Sequence, residues 1–385
     1  MISNLSRGLS EKYDIDIVLN DDYHIDYPFK GRIISLELPH KLERMGMIYQ
    51  VLALIKRTYI LQRLKRHKKY SAVVSFSEMT SIANVLSGNR DVKTIVSVRN
   101  AIDMQKKSGQ KQKLFLPVAM LFLCRNADLT VSCSKEIADD LVEHYGLPSR
   151  KSRVIYNGLE LSTIREKANK SLPPAGESAF PERKTIITVG RMTLQKGQWH
   201  LLNAVKILHD KGIPAQLIIL GDGKLRPILE ERARKLGISD YVNMPGFMEN
   251  PYQNMALADV FVMPSLYEGF SNAILEALAC GVPVISTDHK TGAREILAPD
   301  SDYRQKITDR IDLCEYGILV PVCNGDLKLT FDLFSKEEDL LADALRMILT
   351  DTKLAERYRQ ASLERAEQLN MEAVCQQWIS LLEER

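Results

Sequence analysis

In Ala258–His289, ADVFVMPSLYEGFSNAILEALACGVPVISTDH, the hydrophobic period changes twice over a short span. Val260–Pro264 is an unbroken apolar run of the length of a buried parallel strand, the polar turn SLYEGFSN follows, and the pattern predicts a short helix over Ala273–Cys280. Gly281 and Pro283 end that helix, and Val284–Thr287 opens a second strand. The unit is β-loop-α-β, with its loop at the carboxyl edge of a parallel sheet, where open α/β sheets bind their ligands. Glu268 lies in the loop and Glu276 about two helical turns further on. Ile274, Leu275 and Leu278 are expected on the core face of the helix, with Asn272 and Glu276 on the other side at i, i+4 spacing.

A carboxylate accepts two hydrogen bonds from vicinal hydroxyls, so two such groups can hold a hexose and a ribose separately. The free N–H groups of Gly269–Asn272 at the helix start suit a phosphate or a sugar oxygen. Taken singly, each glutamate reads equally well as a solvated surface residue. The whole run EGFSNAILEALACGVPVIST, however, resembles the donor-site signature of retaining glycosyltransferases of family 4. That resemblance implies an α/β protein of the GT-B type, two Rossmann-like doubly wound domains facing across a cleft.

GRMTLQKG, directly after the predicted strand Thr185–Val189, sets Gly190, Arg191 and Lys196 at a strand end. Two cations there suit a diphosphate, Arg as a fork and Lys as a point charge. Gly221–Gly223, GDG, follows the next strand, where Gly221 and Gly223 permit close backbone approach to a ligand. By resemblance, Arg191 and Lys196 neutralise the departing diphosphate, and Glu268 binds the donor sugar beside Gly269, Phe270, Ser271 and Asn272. Glu276 holds the ribose, and Gly246, Phe247 and Met248 border the base. With both cations present no metal or other cofactor is expected, and the absence of a catalytic dyad is no objection. Many relatives carry a His after the strand matching Thr94–Val98; this chain has Arg99 and Asn100, which read either as acceptor-side residues or as loop caps. His200 and His209 share one predicted helix and read as structural or solvated, and His289 is a weaker site candidate.

The amino-terminal half alternates strands (Ile15–Leu19, Arg32–Leu38, Ala72–Phe76, Thr94–Val98, Leu129–Cys133, Val154–Tyr156) with helices in the doubly wound manner. An acceptor-binding domain is expected over 1–165, a Pro- and Gly-containing linker over 166–183, and a donor-binding domain over 184–370. The final helix, about 371–385, is expected to return to the first domain. Family members usually begin with a strand and a glycine-rich loop; here the chain enters partway along the first helix, so a reading frame starting about 20–30 residues upstream is expected, or a form impaired in transfer.

The 385 residues suit two domains, and six scattered cysteines without C-x-x-C spacing read as buried thiols rather than a disulfide frame. No signal peptide is evident, and the longest apolar run, Leu114–Cys124, is about half a membrane span. The net charge of +3 conceals an asymmetry: residues 1–157 hold 25 Lys and Arg against 16 Asp and Glu, the remainder 27 against 33. A basic half points to an anionic surface or ligand, and no nucleic-acid recognition module is present. Lys41–Tyr70 and Lys106–Arg125, the latter with Lys106, Lys107, Lys111 and Lys113, concentrate this charge beside apolar residues. They read either as basic amphipathic elements on an anionic bilayer or as core helices with a solvated lysine rim.

The expected function is transfer of a hexose or N-acetylhexosamine from a nucleotide sugar, UDP-linked, to a saccharide acceptor on a polyprenyl diphosphate. Its setting is capsule, O-antigen or related polysaccharide assembly at the inner face of the cytoplasmic membrane. The alternatives are a soluble glycosyltransferase acting on small molecules or proteins, and a non-catalytic GT-B partner subunit.

Overall fold

The computed structural model describes residues 2–384 apart from 24, 26–27, 40–44, 89–90, 101–114, 170–182 and 328–333. The chain divides into two compact units, Met1–Gly158 with Met371–Arg385, and Leu159–Asn370.

In the first unit, β1 (Asp16–Leu19) pairs in parallel with β2 (Arg32–Ser35). A separate four-stranded parallel sheet has the order β3 (Ala72–Ser75), β4 (Lys93–Val98), β5 (Leu129–Ser132), β6 (Ser152–Val154). Helices Met47–His67, Glu78–Leu86, Phe115–Asn126 and Lys135–Tyr145 alternate with these strands. Their ends follow local chemistry: Ser134 Oγ accepts from the Ile137 amide at 3.2 Å, and Gly146, with φ 65°, closes the same helix. The carboxyl-terminal helix Met371–Glu383 belongs to this unit. Its Val374, Cys375, Trp378 and Leu381 form one buried cluster with Leu5 and Leu9 of the first helix and with Ile95, Val131 and Ile155 of the sheet. The two helices meet closely enough that a Cβ on Gly8 would lie 2.3 Å from Cys375 Sγ.

The second unit is a single sheet in the order β12-β13-β11-β10-β7-β8-β9, comprising β7 (Lys184–Val189), β8 (Ala215–Leu220), β9 (Val242–Gly246), β10 (Val260–Met263), β11 (Val284–Thr287), β12 (Asp312–Leu313) and β13 (Ile318–Val320). Every pairing is parallel except β12 with β13. All four residues of β10 are buried, as its unbroken apolar run requires of a central strand. From β7 the chain proceeds to β8 and β9 on one side, then crosses to β10, β11 and β13 on the other. The point where the order reverses therefore lies between β7 and β10, and a parallel sheet is open to ligands at such a crevice.

One expectation changes. The helix Leu161–Ala168, which the sequence reading left inside the first domain and its linker, packs on Tyr252–Leu257, and Asn250 Nδ2 donates to the Lys167 carbonyl at 2.9 Å. The division therefore falls at Gly158 rather than at 165. Most of the expected linker, 170–182, lies outside the described residues. His200 and His209 are structural: His200 Nδ1 is 2.6 Å from Glu338 Oε1 and its Nε2 2.8 Å from the Asn324 carbonyl, while His209 Nε2 is 2.9 Å from the Ala215 carbonyl. Asn203 and Arg232 complete the buried network around Glu338, which fastens helix Lys336–Thr350 under the sheet.

Candidate active site

The loops leaving β7 and β10 are fastened to each other at the switch point. After β7 the chain makes a turn of 3-10 helix, Leu194–Lys196, and Gly197 enters helix Gln198–Asp210 with φ 59°. That left-handed conformation suits glycine, and so does the space, because a Cβ here would stand 2.2 Å from the Pro264 carbonyl oxygen. The Leu266 amide donates to the Gln195 carbonyl at 2.8 Å, and Gln195 Nε2 donates to the Tyr267 carbonyl at 3.0 Å. This zipper brings Lys196 Nζ to 2.7 Å from Glu268 Oε1. Ser265 Oγ also donates to Glu268 Oε1 at 2.7 Å, and Gln195 Nε2 reaches Oε2 at 3.2 Å. The pair is largely shielded, with Lys196 and Glu268 side chains 19% and 11% exposed. Arg191 stands exposed at the same strand end, without an ion-pair partner among the described residues.

A third loop closes on this pair from β11. Thr291 Oγ1 donates to the Glu268 carbonyl, and a Cβ on Gly292 would lie 3.2 Å from the Gly269 carbonyl oxygen. The loop is held by a buried ion cluster: Arg294 Nη2 lies 2.7 Å from Asp288 Oδ2, and its Nη1 3.1 Å from Asp312 Oδ2. His289 is fully buried; burial pushes its imidazole below the ordinary range, and the negative charge of Glu268 acts against that. Its Nδ1 faces the Lys290 carbonyl at 3.2 Å, and Nε2 has no hydrogen-bond partner among the described residues.

The glycine turns pack on one another. The Gly190 amide donates to the Leu220 carbonyl at 2.9 Å, and the Gly221 amide to the Gly246 carbonyl at 2.8 Å. A Cβ on Gly221 would lie 2.2 Å from the Gly190 carbonyl oxygen, and one on Gly223 would lie 2.4 Å from that of Met192. The close backbone approach visible at these positions is thus between neighbouring loops. Phe247, beside Gly246, is 82% exposed, an unusual place for a phenyl ring and one open to a flat partner.

On helix Asn272–Ala279, Ile274, Leu275 and Leu278 face the core and Asn272 is exposed; Phe270 and Ser271 before it are buried. Glu276 is half-buried. Burial pushes its carboxyl up to about 7, against a hydrogen bond from Tyr252 that favours the ionised form. Gln195, Ser265, Thr291 and Tyr252 escaped the sequence reading. Only Gln195 carried a usable signal, by its place between the two cations of GRMTLQKG.

In the first unit, Arg99 and Asn100 follow β4, and Asn100 is exposed. Arg99 Nη1 donates to Asn157 Oδ1 at 2.7 Å. On helix Met47–His67, Ile48, Leu52, Ile55 and Tyr59 are 75%, 57%, 59% and 64% exposed. They lie on one face at i, i+4, i+7, i+11 spacing, and the exposed Arg63 and Arg66 continue it. The opposite face buries Ala53, Arg57 and Lys65, the last donating to the Asn84 carbonyl at 2.8 Å. Burial lowers the Lys65 ammonium to about 8. Much of this helix's apolar surface is thus external, and part of its basic surface internal. Lys106, Lys107, Lys111 and Lys113 lie outside the described residues. Among the described residues no helix is long and apolar enough to cross a membrane.

The profile described as Glycosyltransferase Family 4 matches residues 1–163, and that of Glycosyl transferases group 1 matches 174–306. An uncharacterized glycosyltransferase of Methanocaldococcus jannaschii is 31% identical over 345 residues, 86% of this chain and 83% of the relative. N-acetylgalactosamine-N,N'-diacetylbacillosaminyl-diphospho-undecaprenol 4-alpha-N-acetylgalactosaminyltransferase of Campylobacter jejuni is 32% identical over 240 residues, 62% of this chain and 56% of that protein. Among solved structures, Anabaena HepE in complex with UDP and glucose superposes with a TM-score of 0.72 at 17% identity, over 100% of this chain and 96% of that one. The parallel sheets and their loops are those of a GT-B enzyme, and the chain belongs to the family 4, group 1 glycosyltransferases.

Proposed function

We propose that the protein transfers a hexose or N-acetylhexosamine from a UDP-sugar, with retention of anomeric configuration and without a metal, to a saccharide carried on a polyprenyl diphosphate. The observation that carries this reading is the Lys196–Glu268 pair at the switch point, with Arg191 at the same strand end. A carboxylate that accepts from sugar hydroxyls and an ammonium that takes a phosphate oxygen, held 2.7 Å apart, suit a donor whose sugar–phosphate bond lies between them. In the reaction the C1–O bond to the diphosphate breaks and a bond from C1 to the acceptor oxygen forms on the same face. The acceptor proton passes to the leaving phosphate oxygen. The cations stabilise the charge that develops there. The carrier lipid named for the Campylobacter relative and the UDP in the HepE structure support the choice of acceptor and donor.

Lys196→Ala and Arg191→Ala should each lower turnover at saturating UDP-sugar by roughly 10²–10³, the usual loss when one stabiliser of a developing anion is removed. EDTA should leave the wild-type rate unchanged. Near wild-type turnover in both variants would remove the clamp assignment, and rate loss with EDTA would remove the metal-free mechanism.

Glu276 is proposed to bind the ribose. Ribose hydroxyls donate to a carboxylate, and protonation removes an acceptor, so binding favours the ionised form and releases a proton. With the carboxyl near 7 in the free protein, affinity should rise with pH. Between pH 6 and 8, where the diphosphate of a UDP-sugar does not titrate, the gain in calorimetric affinity should approach roughly tenfold, about 1.4 kcal/mol. Glu276→Gln should abolish the slope. An equal slope in the variant would assign the effect to another group.

The outward stripe of helix Met47–His67 is proposed to lie on the anionic inner face of the cytoplasmic membrane, apolar residues among the acyl chains and Arg63 and Arg66 at the headgroups. Each buried aliphatic side chain contributes about 1.5–3 kcal/mol, and each basic residue near the surface about 1 kcal/mol. The triple variant Ile48→Ser, Leu52→Ser, Ile55→Ser should therefore lose at least tenfold in binding to phosphatidylglycerol vesicles while its activity on a water-soluble acceptor persists. Unchanged vesicle binding would exclude this face as the membrane contact.

A further inference from the structure

The carboxyl edge of β3–β6 converges on one arginine whose side-on edge meets no acceptor among the described residues. Phe76 follows β3, Arg99 β4, Cys133 β5, and Asn157 lies three residues beyond β6. Arg99 Nη1 donates to Asn157 Oδ1 at 2.7 Å, the guanidinium lies 5.6 Å from the centre of the Phe76 ring, and Cys133 Sγ lies 3.5 Å from the Arg99 carbonyl oxygen. Held by Asn157 at one nitrogen and packed on the Phe76 ring, the guanidinium has its orientation set, while the Cys133 thiol ties down the backbone that carries it. Its other two nitrogens, Nε and Nη2, are shielded from solvent and meet no acceptor in hydrogen-bond geometry among the described residues. Together they are the side-on fork, which in this same chain Arg32 closes on Asp16, Nε to Oδ1 at 3.0 Å and Nη2 to Oδ2 at 2.9 Å. A desolvated donor without an acceptor costs free energy, more for a charged group. Burial lowers the Arg99 pKa, yet a guanidinium keeps its charge in proteins.

We propose that Arg99 anchors an oxyanion subsite in the first unit, in which a phosphate or carboxylate of the sugar acceptor presents two oxygens to Nε–H and Nη2–H. The chemistry follows from the fork; only the assignment of the anion to the acceptor rests on the function proposed above. One chemistry has two sources, the diphosphate of a carrier lipid and the carboxylate of an acidic sugar. The positive balance of residues 1–157 draws either one to this half of the chain.

The test uses the full chain carrying Arg191→Ala and Lys196→Ala, so that the cation pair of the second unit cannot take the probe. The protein, labelled with ¹⁵N at arginine, is titrated with inorganic pyrophosphate and in parallel with D-glucuronate, and the arginine Nε–H resonances are followed. The Arg99 resonance, identified by its absence in Arg99→Lys, should shift with one of the two probes. Calorimetric affinity for that probe should fall at least tenfold in Arg99→Lys, which keeps the charge and lacks the fork. If Arg99→Lys does not fold, Phe76→Leu identifies the resonance by displacing it. A response to pyrophosphate assigns the subsite to the carrier diphosphate, and one to glucuronate assigns it to an acidic acceptor. No shift with either probe at tens of millimolar, or equal affinity in Arg99→Lys, overturns the proposal. UDP binding by the wild type, measured alongside, separates the two readings, since its absence would defeat the donor assignment and leave the Arg99 result standing.

Discussion

The contact between Lys196 and Glu268 joins parts of the chain that neither secondary structure nor sequence proximity would bring together. It exists because β7 and β10 are hydrogen-bonded neighbours, with Ile186 opposite Val260 and Ile187 opposite Phe261, so that the loops leaving them start side by side. Gly197 then lets one loop pass beneath the Pro264 carbonyl, and Ser265 and Gln195 satisfy the carboxylate oxygens. A shielded ion pair that lost one member would leave an uncompensated charge, at a cost of about 3–5 kcal/mol for buried pairs. The surrounding hydrogen bonds therefore hold the pair as well as the loops. In a ligand-free site the pair keeps two opposite charges in place without a substrate, and a donor that brings both hydroxyls and phosphate can engage each partner without leaving either bare.

The two units carry different electrostatic duties. The second keeps its charges in closed sets, Arg294 with Asp288 and Asp312, His200 and Asn203 with Glu338. Each set fastens a loop or helix beside the sheet, while Arg191 and the Lys196–Glu268 pair stand at the ligand edge. The first unit places charge outward on Arg63 and Arg66 and inward on Arg57, Lys65 and Arg99. An inward cation must be paid for by a partner. Lys65 has the Asn84 carbonyl and Arg57 has Asn20 Oδ1 at 2.8 Å, and for the five-donor head of Arg99 the described residues supply the Asn157 amide oxygen.

The strands were legible in the sequence because buried parallel strands are unbroken apolar runs, and β4, β5, β10 and β11 fall within a residue or so of their predicted bounds. The site was legible as two separate motifs, GRMTLQKG and EGFSNAILE, since a loop after a strand is a local feature. The family resemblance put both on one donor, but the direct Lys196–Glu268 contact was not legible, because it depends on strand order and loop packing. Helix Met47–His67 shows the limit of periodicity most clearly. Its apolar residues lie on both faces, so no single stripe marks the core, and the inner face includes two cations that composition assigns to solvent. Tyr252 beside Glu276 and Phe76 beside Arg99 are long-range contacts with no local signature.

The most direct measurement is a crystal structure of the full chain with a UDP-sugar bound. The expected result places the β-phosphate within hydrogen-bonding distance of Lys196 Nζ and Arg191, with Glu268 accepting from the sugar hydroxyls and Glu276 from the ribose. A donor bound elsewhere, with the Lys196–Glu268 pair intact and touching neither phosphate nor sugar, would contradict it.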